Sequence, residues 1–216
     1  MNIEQARFNM IEQQIRPWNV LDKTVLDMLI VVKRENYFPE AQKSLAFFDT
    51  ELPLPGNTHA MTPKLEARIV QELGLKKQDS ALLIGASTGY VAALMAHLAR
   101  HVTVLESSVE LKDLAAGNLN KDGVRNVDLI QSNGLTGKHT GTYDAIVVAG
   151  ALDVIPESLK KQLNVGGRLL VIVGQLPMMT AQLVTRTSES AFETRILFDT
   201  VLPALPGAEI ASRFVF

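Results

Sequence analysis

The 216-residue chain is 47% apolar and 20% charged, the balance of a folded globular protein rather than a disordered or collagen-like one. Its 21 Lys and Arg against 23 Asp and Glu leave a net charge of -2, so no bulk charge draws it to nucleic acid, and no basic run interleaved with aromatics marks a local patch. The absence of cysteine excludes disulfides, thiolate metal sites and cysteine nucleophiles.

The amino-terminal stretch MNIEQARFNMIEQQIRPWNV is interrupted by Glu4 and Glu12, unlike the apolar core of a secretory signal, and no apolar run approaches a membrane span. The expectation is a cytoplasmic protein with no membrane and no nucleic-acid partner. IEQARFNMIEQQI predicts a helix with Ile3, Ala6, Met10 and Ile15 on one side. DKTVLDMLIVVKREN predicts a second, capped by the carboxylate of Asp22. Pro39, Pro53, Pro55 and Gly56 predict turn and loop between residues 35 and 60. Thr62 followed by Pro63 has the form of an N-cap and first helical position, opening KLEARIVQELG, which Gly74 can close.

From residue 80 strand and helix alternate. SALLIG, VTVLE, NVDLIQ, YDAIVVAG and GRLLVIVG are strand-like, and YVAALMAHLA, VELKDLAAGNLNKDG and PESLKKQL are helical, with Ser107 and Glu110 at capping-box spacing. Apolar strands without polar alternation imply a parallel sheet covered on both faces. AQLVTRT, FETRILFDTVL and SRFVF follow without helices between them, so they are expected as antiparallel strands at one edge. The fold class is therefore α/β with a Rossmann-like sheet, mostly parallel, preceded by an N-terminal helical segment.

Gly85, Ser87 and Gly89 spell the G-x-S-x-G of a hydrolase nucleophile elbow, with a strand before and a helix after. A hydrolase of that fold takes its general base from a late histidine. Here the histidines are His59, His97, His101 and His139, none in the final third of the chain. His97 and His101 have a metal-like spacing, but His101 falls beyond the expected helix end, and no metal is expected.

The alternative is a cofactor loop at a strand end. Ligands of open α/β sheets lie beyond the carboxyl ends of the strands. Glu106 ends the next strand about twenty residues after the loop, where a carboxylate can accept from both hydroxyls of a ribose. Ser87 stands where a dinucleotide fingerprint needs its second glycine for close approach to pyrophosphate. That breaks the pattern for NAD and leaves S-adenosyl-L-methionine, which has no phosphate.

LLIGASTGYVAALMAHLA, VTVLES, GVRNVDLIQSNG, YDAIVVAGAL and LNVGGRLLVIVG, with VKRENYFPEAQKSLAFFDTELPL upstream, resemble in order the protein-L-isoaspartate O-methyltransferases. These are class I methyltransferases that use S-adenosyl-L-methionine and release S-adenosyl-L-homocysteine. The resemblance implies a helical and lid segment over 1–62 and a methyltransferase domain over 63–216. It places Gly85, Ala86, Ser87, Thr88, Gly89 and Tyr90 beneath the cofactor and Glu106, beside Ser107, on the ribose. Ser132, Asn133 and Gly134 fall by the adenine, Ala149, Gly150 and Ala151 on the cofactor's other side, and Val171, Ile172 and Val173 by the substrate backbone.

Three positions depart from the family. Leu83 replaces an acid that helps organise the cofactor's methionine end, Asn133 replaces an acid near the adenine, and Met61 replaces a serine near the transferred methyl. Thr58, His59 and Thr62 are the polar candidates near that serine's place. The implied activity is methyl transfer to an isoaspartyl carboxylate of a protein or peptide. A small carboxylate, another acceptor, or a binding protein of the same fold without turnover remain alternatives.

Overall fold

The computed structural model describes residues 2–136 and 139–208. The N-terminal segment holds α1 (Ile3–Met10), a π-helical turn (Ile11–Ile15) and α2 (Lys23–Val31). Asp22 caps α2 by accepting from the amides of Thr24 and Val25. Met10 and Ile15 are buried as expected, but Ile3 is exposed and Arg7 takes a buried place on α1. Arg7 is held there by the carboxylate of Glu35.

The stretch expected as loop is more ordered than its prolines suggest. Two 3-10 turns (Arg34–Tyr37 and Glu40–Phe47) lead to a hairpin of β1 (Leu52–Leu54) and β2 (Thr58–Ala60), paired through Leu52 with Ala60 and Leu54 with Thr58. Three-residue strands are too short to show an alternation. Pro53 lies opposite His59. An isolated hairpin can hold proline because its outer edge needs no ladder donor.

α3 (Pro63–Leu73) begins after Thr62 with proline at its first position and ends at Gly74 in the left-handed conformation, as the sequence predicts. Then come β3 (Ser80–Ile84), α4 (Tyr90–Leu98), β4 (His101–Glu106), α5 (Val109–Lys121), β5 (Val127–Gln131), β6 (Tyr143–Leu152), α6 (Glu157–Lys161), β7 (Leu163–Gln175), β8 (Met178–Arg186) and β9 (Phe192–Asp199). They form a seven-stranded sheet in the order β5-β4-β3-β6-β7-β8-β9. β5 to β7 are parallel, and β8 and β9 add antiparallel at one edge. The SRFVF segment lies outside the described residues. α5 is capped by Ser108, which accepts from the amide of Leu111, so the cap sits one residue later than Ser107.

Both faces of the sheet are apolar, which is why its strands lack polar alternation. Ala81, Leu83, Val147 and Ile172 join one cluster with α3, α4 and the N-terminal residues Met10, Leu29, Tyr37 and Leu52. Leu82, Ile84, Val148 and Val171 join the other, over α6. Successive side chains point to opposite faces, so each apolar strand feeds both layers. β3 leads to strands on one side and β6 returns to its other side, creating the switch point at their carboxyl ends.

Candidate functional site

The loop after β3 is built by its neighbours. Ile84 pairs with Leu105, so Gly85 and Glu106 leave adjacent strand ends side by side. The Gly85 amide donates to Leu105 O at 2.9 Å. The Ala86 amide donates to Glu106 Oε2 at 2.7 Å, and the Ser108 amide to Glu106 Oε1 at 2.9 Å. Glu106 is thereby fixed at 4% exposure. A carboxylate offers about four acceptor positions, and two are taken by these amides. Gly89 (φ +88°) turns the loop into α4, and a Cβ there would meet the Ala115 backbone at 3.1 Å.

A cleft opens over this loop at the carboxyl edge of the sheet. Gly85, Ser87, Glu106, Ser107, Asn133, Gly134 and Ala149 line it. The sequence-predicted positions Ala86, Thr88, Gly89 and Tyr90 are not among its lining residues. The Tyr90 ring instead packs edge-on against Tyr37 at 5.3 Å between centroids. Burial pushes its phenol well above the usual range. Thr88 is buried, and its carbonyl accepts from Asn118 Nδ2 at 2.9 Å. These residues shape the loop from behind. Asn133 turns its Oδ1 to the Leu135 amide at 2.9 Å, which occupies one of that oxygen's two lone pairs.

The opposite walls come from two segments. On one side the hairpin brings Leu54, Gly56, Asn57, Thr58, His59 and Met61. The Thr58 hydroxyl donates to Pro55 O at 2.8 Å, so its proton is committed within the turn. Thr62 does not line the cleft and serves as the residue before α3. Met61 is buried. Its carbonyl accepts from Arg34 Nη2 at 2.7 Å. Arg34 also donates to Glu66 and Ala46 O and is wholly buried, which ties the hairpin to α3. Burial raises the Glu66 carboxyl above its ordinary value, Arg34 opposing.

On the other side, residues 202–206 form a strap that sequence reasoning missed. The Ala151 amide donates to Pro203 O at 2.9 Å and the Leu205 amide to Ala151 O at 3.0 Å. The two prolines and Gly207 of LPALPG were its one sequence signal, and they read equally as an ordinary loop.

The arrangement suits an adenosyl ligand and not a triad. Glu106 presents an anchored carboxylate, and Ser87 Oγ is buried without a hydrogen-bond partner, hence without a base to activate it. Among the described residues no group of three His, Cys, Asp or Glu side chains could hold a metal, and no helix is long and apolar enough to cross a membrane.

Comparisons with known proteins agree with this geometry. A protein-L-isoaspartate O-methyltransferase of Rhodopseudomonas palustris is 39% identical over 203 residues, 93% of each chain. Another, from Marinobacter nauticus, is 32% identical over 210 residues, 96% of each chain. A crystal structure from Plasmodium falciparum, described as the same kind of enzyme in complex with S-adenosyl-L-homocysteine, superposes with a TM-score of 0.80 over 95% of this chain and 98% of that one. At 21% identity it supports the fold. The profile of one family spans residues 5–204, from α1 to the strap. The chain belongs to the protein-L-isoaspartate(D-aspartate) O-methyltransferase (PCMT) family.

Proposed function

We propose that the protein transfers a methyl group from S-adenosyl-L-methionine to the free carboxylate of an isoaspartyl residue in a protein or peptide. The observation that carries the reading is Glu106, locked by the Ala86 and Ser108 amides at the switch point with acceptor capacity left over. Two vicinal hydroxyls of a ribose match that capacity. Ser107, Asn133 and Gly134 extend the same wall for the base, and Ser87 faces the rest of the ligand.

When bound, S-adenosyl-L-methionine supplies a methyl group already activated on a sulfonium, so the attacking carboxylate needs no general base. One C–O bond forms as one C–S bond breaks, and no proton moves. The residues of the chain therefore act by holding the acceptor oxygen in line. Met61 and Leu54 give that end of the cleft an apolar wall. His59 lines it while remaining exposed, and we assign its ring N–H the role of orienting the acceptor carboxylate. With its proton donated to Pro55 O, Thr58 has only lone pairs to offer and is not assigned that role.

Incubation with methyl-labelled cofactor and an isoaspartyl peptide tests the reading. The expected result is a base-labile methyl ester, with none on the matching aspartyl peptide. No ester above a heat-killed control defeats it.

A further inference from the structure

Ala115, Asn118 and Asp122 recur at i, i+3 and i+7 and so share one face of α5 and its last turn. That face meets both the loop after β3 and the N-terminal segment. A Cβ on Gly89 would lie 3.1 Å from Ala115 O, so the end of the loop rests directly on the helix. One turn on, Asn118 Nδ2 donates to Thr88 O at 2.9 Å and to Tyr37 O at 3.0 Å. Asp122 Oδ2 accepts from the Tyr37 hydroxyl at 2.7 Å. A single amide group thus commits both of its N–H donors to tying residue 88 to residue 37.

Each tied residue leads to a different wall of the cleft. Thr88 follows Ser87, which lines it. Tyr37 ends the 3-10 turn that begins at Arg34, and Arg34 Nη2 holds Met61 O on the hairpin wall at 2.7 Å. Thr88, Tyr37, Arg34 and Met61 are buried and Asn118 is half-buried, so solvent does not loosen these links. Asn118 itself does not line the cleft, and its place in the fold is to join the two walls from behind. A ligand that orders one wall therefore leaves less freedom for the other to lose.

We propose that Asn118 is a positioning residue that couples the two walls, so that an adenosyl ligand and the acceptor peptide bind cooperatively. The inference rests on the methyl-transfer reading of the cleft. Calorimetry of S-adenosyl-L-homocysteine, alone and with saturating isoaspartyl peptide, measures the coupling on the intact protein without turnover. In the parent the peptide is expected to tighten S-adenosyl-L-homocysteine about tenfold, within the usual range for coupled sites. Asn118→Ala is expected to bring that factor below about twofold while weakening S-adenosyl-L-homocysteine alone by less than about threefold. Asn118→Ser, which keeps one donor of the two, takes its place if the alanine variant does not fold, with the same expectation because both carbonyls must be held. A second readout needs no peptide. The Asn36 amide donates to Lys33 O at 2.9 Å, and Asn36 lies in the Arg34–Tyr37 turn outside the cleft lining. Its hydrogen exchange should slow at least about threefold when S-adenosyl-L-homocysteine binds the parent, and stay unchanged when it binds the variants. A peptide factor that survives the loss of Asn118, no factor in the parent, or an Asn36 amide indifferent to S-adenosyl-L-homocysteine overturns the coupling. Failure of the parent to bind S-adenosyl-L-homocysteine defeats the adenosyl reading instead, and binding without ester formation on the peptide defeats the methyl-transfer one.

Discussion

Glu106 and Ala86, twenty positions apart in the chain, are joined by a 2.7 Å hydrogen bond from the Ala86 amide to the Glu106 carboxylate. The same carboxylate takes the Ser108 amide, so it fixes the loop after β3 and the start of α5 together. Glu106→Gln puts an NH2 group against one of these two N–H donors. Affinity for S-adenosyl-L-homocysteine is expected to fall at least about tenfold, since hydrogen bonds to a charged group are worth roughly 1.5–3 kcal/mol. Calorimetry checks this, and unchanged affinity would remove residue 106 from the site.

Both His59 and Glu106 line the cleft, and we assign His59 to the acceptor and Glu106 to the cofactor. His59→Ala is therefore expected to raise KM for an isoaspartyl peptide by about three- to tenfold while leaving S-adenosyl-L-homocysteine affinity alone. Steady-state kinetics against peptide, read beside binding, separates the two. A loss of cofactor affinity of the same size would place the ring elsewhere.

Arg34 and Glu66 form a buried pair at 2.6 Å, with Arg34 also bound to the Ala46 and Met61 carbonyls. Glu66→Ala leaves a buried guanidinium without its counter-ion and is expected to cost about 3–5 kcal/mol in urea unfolding. Glu66→Gln keeps an acceptor for Arg34 Nε, and burial already disfavours the ionised form. Its cost should be clearly smaller.

Asp144 sits at the amino-terminal side of the sheet, where its carboxylate accepts from the Ser80 amide at 2.9 Å and from Asn164 Nδ2 at 2.8 Å. Burial works against ionisation, but the Ser80 and Asn164 hydrogen bonds and the Arg168 charge outweigh it and hold the carboxyl below its ordinary 3.8. A depressed carboxyl contributes stability above its unfolded value and loses it as pH falls through its folded one. Asp144→Asn should thus melt below the parent at neutral pH, and the gap should narrow below about pH 4. A gap independent of pH would show that the charge contributes nothing.

Gly150 lies under the strap, and a Cβ there would come within 2.6 Å of Leu205 Cα. Gly150→Ala must push the strap away from β6. Hydrogen exchange at the Leu205 amide, bonded to Ala151 O, is expected to accelerate by at least about tenfold, one broken hydrogen bond's worth. Unchanged protection there would mean that the strap yields without opening.

Features set by short-range chemistry were legible in the sequence. Asp22, Pro63 and Gly74 mark helix ends through local hydrogen bonding and φ, and the continuous apolar runs of β3, β6 and β7 announce a sheet covered twice. Features that depend on distant partners were not. Arg7 and Arg34 are buried only because Glu35 and Glu66 arrive from elsewhere, and charged residues otherwise read as surface. The strap is held to β6 by two backbone bonds at Ala151, which no periodicity can signal. Position 106 was readable because its spacing from the loop follows from the βαβ unit itself. The direction of the Tyr90 ring, by contrast, is decided by Tyr37 far upstream.

Because one wall of the cleft is contributed by residues 202–206, that wall is made only after β3 to β9 have all been synthesised. A nascent chain emerging amino end first can assemble β3, β4 and their acidic anchor well before it owns that wall. Competence to capture the nucleoside should accordingly appear as a late, abrupt event in synthesis, and a chain cut just after β9 should keep its sheet while leaving the chamber open on one side.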